Sequence, residues 1–316
     1  MLKSLALQAE MAREFGACGF GFTLDCEDGA SVGGERDHTQ MVRDNANPVR
    51  GTSAGETTRK VARVAVRSHP VDHPAFQKCV DTMIGGAAAD LCHVMFPKVE
   101  SLADVELAVI MIDRAATMFG KLSPLPLQVL IESAVASGQT QIMATHARVQ
   151  SISIGLTDFF SSHGGVIPGG EMGVGLLTSM EGIDQFFHLL VLRAKLEISA
   201  ACRAQGKVPS HCVVTEFRDT TVIQAAAVRA FRSLEYSCMW GVRPARIGLI
   251  LVASASQTDE IDLAVNIILS NVKTDWASRY LGQLHDRASC RYFWQVLERA
   301  HQTGTPLANE ASDLWH

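Results

Sequence analysis

Apolar residues along the chain follow two alternating patterns. Continuous runs of about four to eight apolar residues are typical of buried strands, and longer segments with apolar residues every three or four positions are typical of helices. The runs predict seven strands, within residues 19–29, 61–69, 93–99, 127–134, 149–160, 212–217 and 237–242. Helices are predicted at 2–15, 39–46, 73–84, 101–119, 138–147, 179–205 and 219–234, and the tail from Thr258 is mostly helical.

Strands that alternate with helices in this way predict an α/β protein with a parallel sheet covered on both faces. Two architectures fit, a TIM (β/α)8 barrel and an open doubly wound sheet. Charged residues at the C-terminal ends of the predicted strands favour the barrel, because a barrel carries its chemistry around that whole face, whereas an open sheet concentrates it at one switch point. These residues are Asp28, Arg67, Lys98, Glu132, Asp158 and Glu216.

We therefore expect residues 1–250 to form a (β/α)8 barrel and residues 251–316 to form a helical C-terminal extension. An eight-stranded barrel needs one strand more than the seven that the pattern predicts. The extra strand would precede the first helix, and we expect it to be missing from the sequence, which begins at that helix.

Composition narrows the class of protein. The 316 residues are 47% hydrophobic and 19% charged, which is enough for a sizeable core. The net charge of −5, with dispersed Lys and Arg, argues against nucleic acid as a partner, and we expect no membrane-spanning segment. Eight cysteines include no C-x-x-C pair, so we expect reduced, mostly buried thiols in a cytoplasmic protein.

The stretch from Gln128 to Phe160 contains two apolar runs that each end near an acidic residue, Glu132 and Asp158. If both runs are neighbouring parallel strands, their carboxylates lie at one edge of the sheet. One or two carboxylates, with substrate and water oxygens, are the usual ligands of Mg²⁺ in proteins. The alternative is that each acid caps the following helix or forms a structural ion pair. The pattern therefore indicates a metal site or two strand-end caps.

Six short motifs in this order resemble the citrate lyase β-subunit family, within the wider HpcH/HpaI aldolase superfamily. They are LDCEDGA (24–30), VRSHP (66–70), FPKVES (96–101), LIESA (130–134), GLTDF (155–159) and EFRD (216–219). The resemblance runs from about residue 5 to 245. It implies a TIM barrel, assemblies of three or six chains, and Mg²⁺-dependent cleavage or formation of carbon–carbon bonds in CoA thioesters.

The resemblance also implies roles for individual residues. Glu132 and Asp158 would bind Mg²⁺, and Arg67 would bind a carboxylate or oxyanion of the substrate. By residue chemistry, the backbone at Gly155, Leu156 and Thr157 could approach a substrate carboxylate closely, because glycine leaves room. All of these positions lie on strand ends or just after them.

Other polar residues near the strand ends have less defined roles. Glu27 and Asp28 would either hydrogen-bond metal-bound water or substrate, or hold Arg67 in place. Lys98 would close an ion pair or meet a CoA phosphate. His69 is an alternative acid or base, because its ordinary pKa lies near neutrality. Glu216 has the competing interpretation of an ion pair with a nearby arginine.

The sequence departs from the family pattern at three places. The first-strand motif that ends F-V-P-G has no counterpart, the Asn after the substrate arginine is replaced by Ser68-His69, and the C-terminal K-x-A-I-H-P motif reads WGVRPARIG. We expect a lyase that converts a short 3-hydroxyacyl-CoA into an acyl-CoA and a 2-oxo acid. An aldolase for free 2-oxo acids and a non-catalytic barrel subunit are the alternatives.

Overall fold

A computed structural model describes residues 2–14, 19–29, 31–46, 63–87, 91–120, 124–175, 183–216, 218–255, 257–274, 278–302 and 305. Its strands are β1 Phe22–Asp25, β2 Val64–Arg67, β3 Leu91–Phe96, β4 Leu127–Ile131, β5 Val149–Ile154, β6 Val208–His211, β7 Cys238–Met239, β8 Ser278–Tyr280 and β9 Gln283–His285. Its α-helices are α1 Leu2–Glu14, α2 Glu35–Ala46, α3 Phe76–Ala87, α4 Leu102–Met118, α5 Ala134–Ala144, α6 Leu156–Ser162, α7 Leu189–Ala204, α8 Thr220–Val228, α9 Pro244–Ser254, α10 Thr258–Lys273 and α11 Arg287–Gln302.

The first seven strands form one parallel sheet in the order β1-β2-β3-β4-β5-β6-β7. Each strand pairs with the next one in the chain, and helices lie between them, as in a TIM-like barrel. In the described part of the chain, β1 and β7 are the edges of this curled sheet. The prediction of a barrel-type α/β fold is confirmed, and so is the prediction that β4 and β5 are neighbouring parallel strands, with Ile131 opposite Ile154.

Alternate residues of the strands lie on opposite faces of the sheet. One face belongs to the main hydrophobic core, with fully buried side chains such as Phe96, Val129, Ile131 and Ile152. The opposite face is more polar and contains hydrogen bonds between strands. Gln128 on β4 donates to Ser153 Oγ on β5 (2.7 Å), and Trp240, just after β7, donates to Ser210 Oγ on β6 (3.0 Å).

Three element predictions are wrong. The strand predicted within 149–160 ends at Ile154, and residues 156–162 form helix α6, so Asp158 lies in a helix and not at the end of a strand. The sixth strand is Val208–His211 and not 212–217, so Glu216 lies in the connection after the strand rather than at its end. Pro209 argues against a strand in the sequence, because proline has no N–H to donate within a sheet. Its carbonyl still accepts a hydrogen bond from the Ser237 N–H (3.1 Å), so β6 pairs with β7. The predicted helix from Ser179 begins at Leu189, after a segment of turns at 183–188. The first part of that prediction, 179–182, lies outside the described residues.

The chain divides into two compact units, Met1–Ala253 and Ser254–His316. The second unit has its own core, in which Ile261, Ala264 and Ile268 of α10 join Leu297 and Ala300 of α11. None of the seven described cysteines forms a disulfide bond, but Cys92 and Cys238 are exposed, so the expectation of burial fails for these two. No helix in the described residues has the length and apolar character needed to cross a membrane.

Candidate metal and carboxylate site

Glu132 lies immediately beyond β4 and is almost fully buried, with 4% of its surface exposed. Its Oε2 accepts a hydrogen bond of 2.6 Å from the main-chain N–H of Lys98, which follows β3. Gly155, at the end of β5, packs against the other side of the carboxylate, and a Cβ at this position would overlap Glu132 Oε1. The carboxylate is therefore held between the ends of β3 and β5, the two strands that flank β4, and only glycine at position 155 leaves it room.

The electrostatic environment of Glu132 disfavours its charge. Burial raises the pKa of this carboxyl from 4.5 to about 8, and the charges of Asp158 and Glu27 add to the effect. The Lys98 N–H and ammonium lower the pKa and offset only part of the increase. A buried carboxylate that is costly to ionise without a cation is the kind of group that a divalent metal stabilises.

Asp158 lies in the first turn of α6, directly after β5, where the helix dipole favours a negative charge. Its Oδ1 is 3.4 Å from the Lys98 ammonium. The same ammonium lies 2.5 Å from Glu27 Oε1, beyond β1. Burial opposes the charge of Lys98, but the hydrogen bond to Glu27 and the nearby acids outweigh it and raise the pKa of Lys98 above its ordinary value. Lys98 therefore connects the acids of β1, β4 and β5.

Arg67, the last residue of β2, lies among three acids at the end of β1 and just beyond it. Its Nε and Nη2 donate to the two carboxylate oxygens of Asp25 (2.8 and 2.7 Å), and Nη2 also contacts Asp28 (3.0 Å). Its Nη1 lies 2.9 Å from Glu27 Oε2. The Asp28 side chain is 59% exposed, whereas that of Glu27 is 7% exposed, so Asp28 is the partner that a ligand could most easily replace.

These contacts also set the ionisation of the acids around Arg67. Burial opposes the charge of Asp25, but the hydrogen bonds and charge of Arg67 outweigh it and lower the pKa of Asp25. Burial dominates at Glu27 and raises its pKa, despite the favourable contacts with Lys98 and Arg67. Arg67 is thus fixed mainly by Asp25, while Glu27 joins Arg67 to Lys98.

The remaining candidates differ in how close they come to this group. Leu156 is buried in the hydrophobic core, so only its backbone could face a ligand, and Thr157 is exposed at the start of α6. His69 is buried and stacks on His73, with ring centroids 4.7 Å apart. Burial, with the neighbouring His73, lowers its pKa. Glu216 instead accepts hydrogen bonds from the backbone N–H groups of residues 218 and 219.

The sequence predicted the positions of Glu132, Asp158, Arg67, Glu27 and Asp28, and the structure brings all five into one cluster. Their proposed roles in binding stay predictions. Asp25 was missed, although it is the last residue of β1 and lies only two residues before Glu27. Lys98 was expected to close an ion pair, but its partner Glu27 was not named, since the two residues are 71 positions apart. The cluster as a whole contains five carboxylates and two cations.

The residues present fit a magnesium ion. No group of three or more His, Cys, Asp or Glu side chains in the described part of the chain is arranged to hold a metal. Mg²⁺ does not require one, since it commonly uses one or two carboxylates and takes its other ligands from substrate and water. In the described part of the chain, Glu132 and Asp158 offer hard oxygen donors here, and burial raises the pKa of Glu132, so this carboxylate is costly to ionise without a cation.

Comparisons with known proteins agree with this arrangement. The crystal structure of a citrate lyase from Burkholderia xenovorans LB400 superimposes with a TM-score of 0.84 at 39% identity, covering 100% of this chain and 92% of that one. The L-malyl-CoA/β-methylmalyl-CoA lyase of Cereibacter sphaeroides is 25% identical over 252 residues, 75% of this chain and 76% of the relative.

A more distant structure shares the fold. The protein CitE from Mycobacterium tuberculosis, solved with magnesium, acetoacetate and coenzyme A, gives a TM-score of 0.67 at 18% identity and covers 95% of each chain. The sequence profile of the HpcH/HpaI aldolase/citrate lyase family matches residues 4–233. This match extends over most of the first compact unit and includes all the residues of the cluster. The chain belongs to the HpcH/HpaI aldolase/citrate lyase family.

Proposed function

We propose that the protein is a Mg²⁺-dependent carbon–carbon lyase that converts a short 3-hydroxyacyl-CoA into an acyl-CoA and a 2-oxo acid. The observation that carries the proposal is the carboxylate pair of Glu132, immediately beyond β4, and Asp158, in the first turn of α6 after the neighbouring β5. Glu27 and Lys98 connect Arg67 to this pair through ion pairs. Membership of the family and the similarity to a malyl-CoA lyase and to a citrate lyase support the reaction class.

The reaction breaks the bond between the carbon that bears the hydroxyl group and the carbon next to the thioester. The hydroxyl proton leaves, the hydroxyl carbon becomes the carbonyl of the 2-oxo acid, and the electron pair passes to the thioester as an enolate, which then takes up a proton. A bound Mg²⁺ would act as a Lewis acid for the substrate's carboxylate and hydroxyl oxygens. Glu132 and Asp158 would hold that ion.

The residues of the chain would divide the remaining work. Arg67 is permanently charged and fixed by Asp25, so it offers a preorganised donor to a substrate oxygen at the place that Asp28 now occupies. Glu27 forms ion pairs with both Arg67 and Lys98 and would hold the two cations in place. The backbone of Gly155, Leu156 and Thr157 would lie against the carboxylate of the 2-oxo acid.

The direct test is turnover of malyl-CoA, citramalyl-CoA and citryl-CoA in the presence of Mg²⁺, with the released 2-oxo acid trapped as its phenylhydrazone. We expect one of these thioesters to be cleaved, and we expect Glu132→Ala to remove both turnover and Mg²⁺ binding. A wild-type protein that binds Mg²⁺ but cleaves none of them would refute the proposal. The aldolase alternative would instead be supported if the protein cleaves a free 2-oxo acid and if CoA does not raise its melting temperature.

We also propose that the chain forms a homotrimer or homohexamer in the cytoplasm. Exposed apolar side chains on the outer helices support self-association, since large apolar surfaces are usually covered in soluble proteins. They include Leu107 and Ile110 on α4, Val135 and Ile142 on α5, and Leu189 and Leu196 on α7. The described cysteines form no disulfide bond, which supports a reducing compartment. Light scattering after gel filtration tests the assembly, and a monomer would refute it.

A further inference from the structure

Lys98 has an unusual backbone conformation at the centre of the cluster. Its φ angle is +51°, in the left-handed region that residues with a side chain rarely adopt. This conformation aims the main-chain N–H at Glu132 Oε2, 2.6 Å away. Strained backbone of this kind persists only where the surrounding structure holds it, and it is frequent at functional sites.

The Lys98 side chain serves a different pair of acids. Its ammonium lies 2.5 Å from Glu27 Oε1 and 3.4 Å from Asp158 Oδ1, and the side chain is 40% exposed. One residue therefore contacts three carboxylates, one through its backbone and two through its charge. With Arg67 it supplies the two cations that face the five carboxylates of the cluster, so the fully ionised cluster is strongly negative.

We propose that Lys98 is a positioning and charge-balancing residue: its backbone orients Glu132 for a metal, and its ammonium keeps the site able to accept an anionic substrate. The proposal rests on the proposed lyase function, because that function requires a divalent cation and a carboxylate to bind together. A cluster built to attract Mg²⁺ also repels a 2-oxo acid. The Lys98 ammonium beside Asp158 reduces this repulsion. It forms its ion pairs with Glu27 and Asp158, so the charge of Glu132 stays available for the metal.

This role predicts opposite changes in two affinities. Removing the ammonium makes the local potential more negative, which attracts a divalent cation and repels a carboxylate. Mg²⁺ should then bind more tightly and the 2-oxo acid more weakly. A residue that only maintains the structure would behave differently, since its loss would weaken both.

Three kinds of substitution separate the backbone from the charge. Lys98→Gly and Lys98→Asn remove the ammonium but keep a residue that tolerates the left-handed region. Lys98→Arg keeps the charge. Lys98→Val removes the charge and also disfavours the left-handed backbone, because β-branched residues rarely adopt it. Circular dichroism and the melting temperature establish that each variant is folded before binding is measured.

Calorimetric titration of the substrate-free protein with Mg²⁺ is the first measurement. We expect Lys98→Gly and Lys98→Asn to bind Mg²⁺ at least about threefold more tightly than wild type, with a smaller difference at high salt. Lys98→Arg should match wild type. Lys98→Val should bind at least about tenfold more weakly than Lys98→Gly, because the misplaced N–H no longer orients Glu132.

Titration of the Mg²⁺-saturated proteins with pyruvate is the second measurement. We expect Lys98→Gly to bind pyruvate at least about tenfold more weakly than wild type, and to raise KM more than it lowers kcat. The proposal is overturned if both affinities fall together in the Gly and Asn variants, or if neither changes. Wild-type protein that binds Mg²⁺ and pyruvate but cleaves no thioester would refute the lyase function alone, and the comparison of Lys98 variants would stand.

Discussion

Glu132→Gln should make the folded protein less sensitive to pH, because the amide keeps the shape of the carboxyl group and removes its charge. The amide oxygen of the variant can still accept the hydrogen bond that the Lys98 N–H donates to Glu132 Oε2 in the wild type. The pKa of Glu132 is raised by burial from 4.5 to about 8 in the folded chain. Between these two values the unfolded chain loses the proton and the folded chain retains it.

The sign and size of the effect follow from this difference. Below about pH 4.5 the carboxyl is protonated in both states and its stabilising contribution is complete. As the pH rises from 4.5 to 8, the free energy of unfolding of the wild type falls by about 1.4 kcal/mol for each pH unit. Above pH 8 the total loss is on the order of 5 kcal/mol. Between pH 6 and pH 9 the variant should therefore gain about 3 kcal/mol relative to wild type.

Urea unfolding at pH 6, 7, 8 and 9, without divalent metal, measures this difference in the free energy of unfolding. Glu106→Gln, which changes an exposed residue of α4 in the same way, is the matched control and should parallel wild type. Repeating the series with Mg²⁺ should stabilise wild type above pH 7, since the metal binds the ionised carboxylate. It should leave the Glu132→Gln variant unchanged.

Parallel curves for wild type and Glu132→Gln from pH 6 to pH 9 would refute the reasoning, because they would show that Glu132 is not destabilised by its burial. Equal stabilisation of both proteins by Mg²⁺ would refute the assignment of Glu132 as a ligand. The two results are independent. The first concerns the electrostatic environment of the folded chain, and the second concerns the metal.

Three further substitutions test other contacts in the first compact unit. Gly155→Ala places a methyl group against Glu132 Oε1, closer than van der Waals contact allows, so we expect a loss of about 1–3 kcal/mol in urea unfolding and weaker Mg²⁺ binding by calorimetry. Gly138→Ala, with nothing within 4 Å of its Cβ, is the control and should stabilise α5 by about 0.5–1 kcal/mol. Arg67→Lys keeps the charge but loses the bidentate hydrogen bond to Asp25 that fixes the side chain. The kcat/KM should therefore fall by about 10²–10³. Asp184→Asn breaks a buried 2.7 Å ion pair with an arginine and should cost about 3–5 kcal/mol in urea unfolding.

The order of strands and helices could be predicted because it depends on local patterns. Strand β4 is buried at all five positions and α5 follows it, so both elements were predicted, although α5 begins at Ala134, four residues before the predicted start. Strand β6 could not be recognised in the same way. Its sequence is VPSH, and it becomes a strand only because β5 and β7 supply partners on both sides.

The candidate site could be predicted in part for a related reason. Glu132 and Arg67 are visible because each lies at the end of an apolar run. The pairing of Arg67 with Glu27 and Asp28 was among the predicted alternatives and is present. The bonds from Arg67 to Asp25, which span 42 positions, and the bond from Lys98 to Glu27, which spans 71, were not predicted. The raised pKa of Glu132 is a property of the three-dimensional environment. A single sequence shows which charges are present but not which of them are near one another.

The hydrogen bonds inside the sheet have a consequence for how the chain avoids misfolding. Gln128 bonds to Ser153, and Trp240 bonds to Ser210, across neighbouring strands. If one of these strands slipped by a single residue, its polar side chains would turn toward the helices and lose their partners, while apolar side chains would leave the core. A buried polar group without a partner costs about 1–3 kcal/mol, so each bond penalises the wrong alignment of its strands. These polar residues make the apolar pattern of the strands less regular. They also favour the register in which the ends of neighbouring strands, and hence the site residues, are aligned.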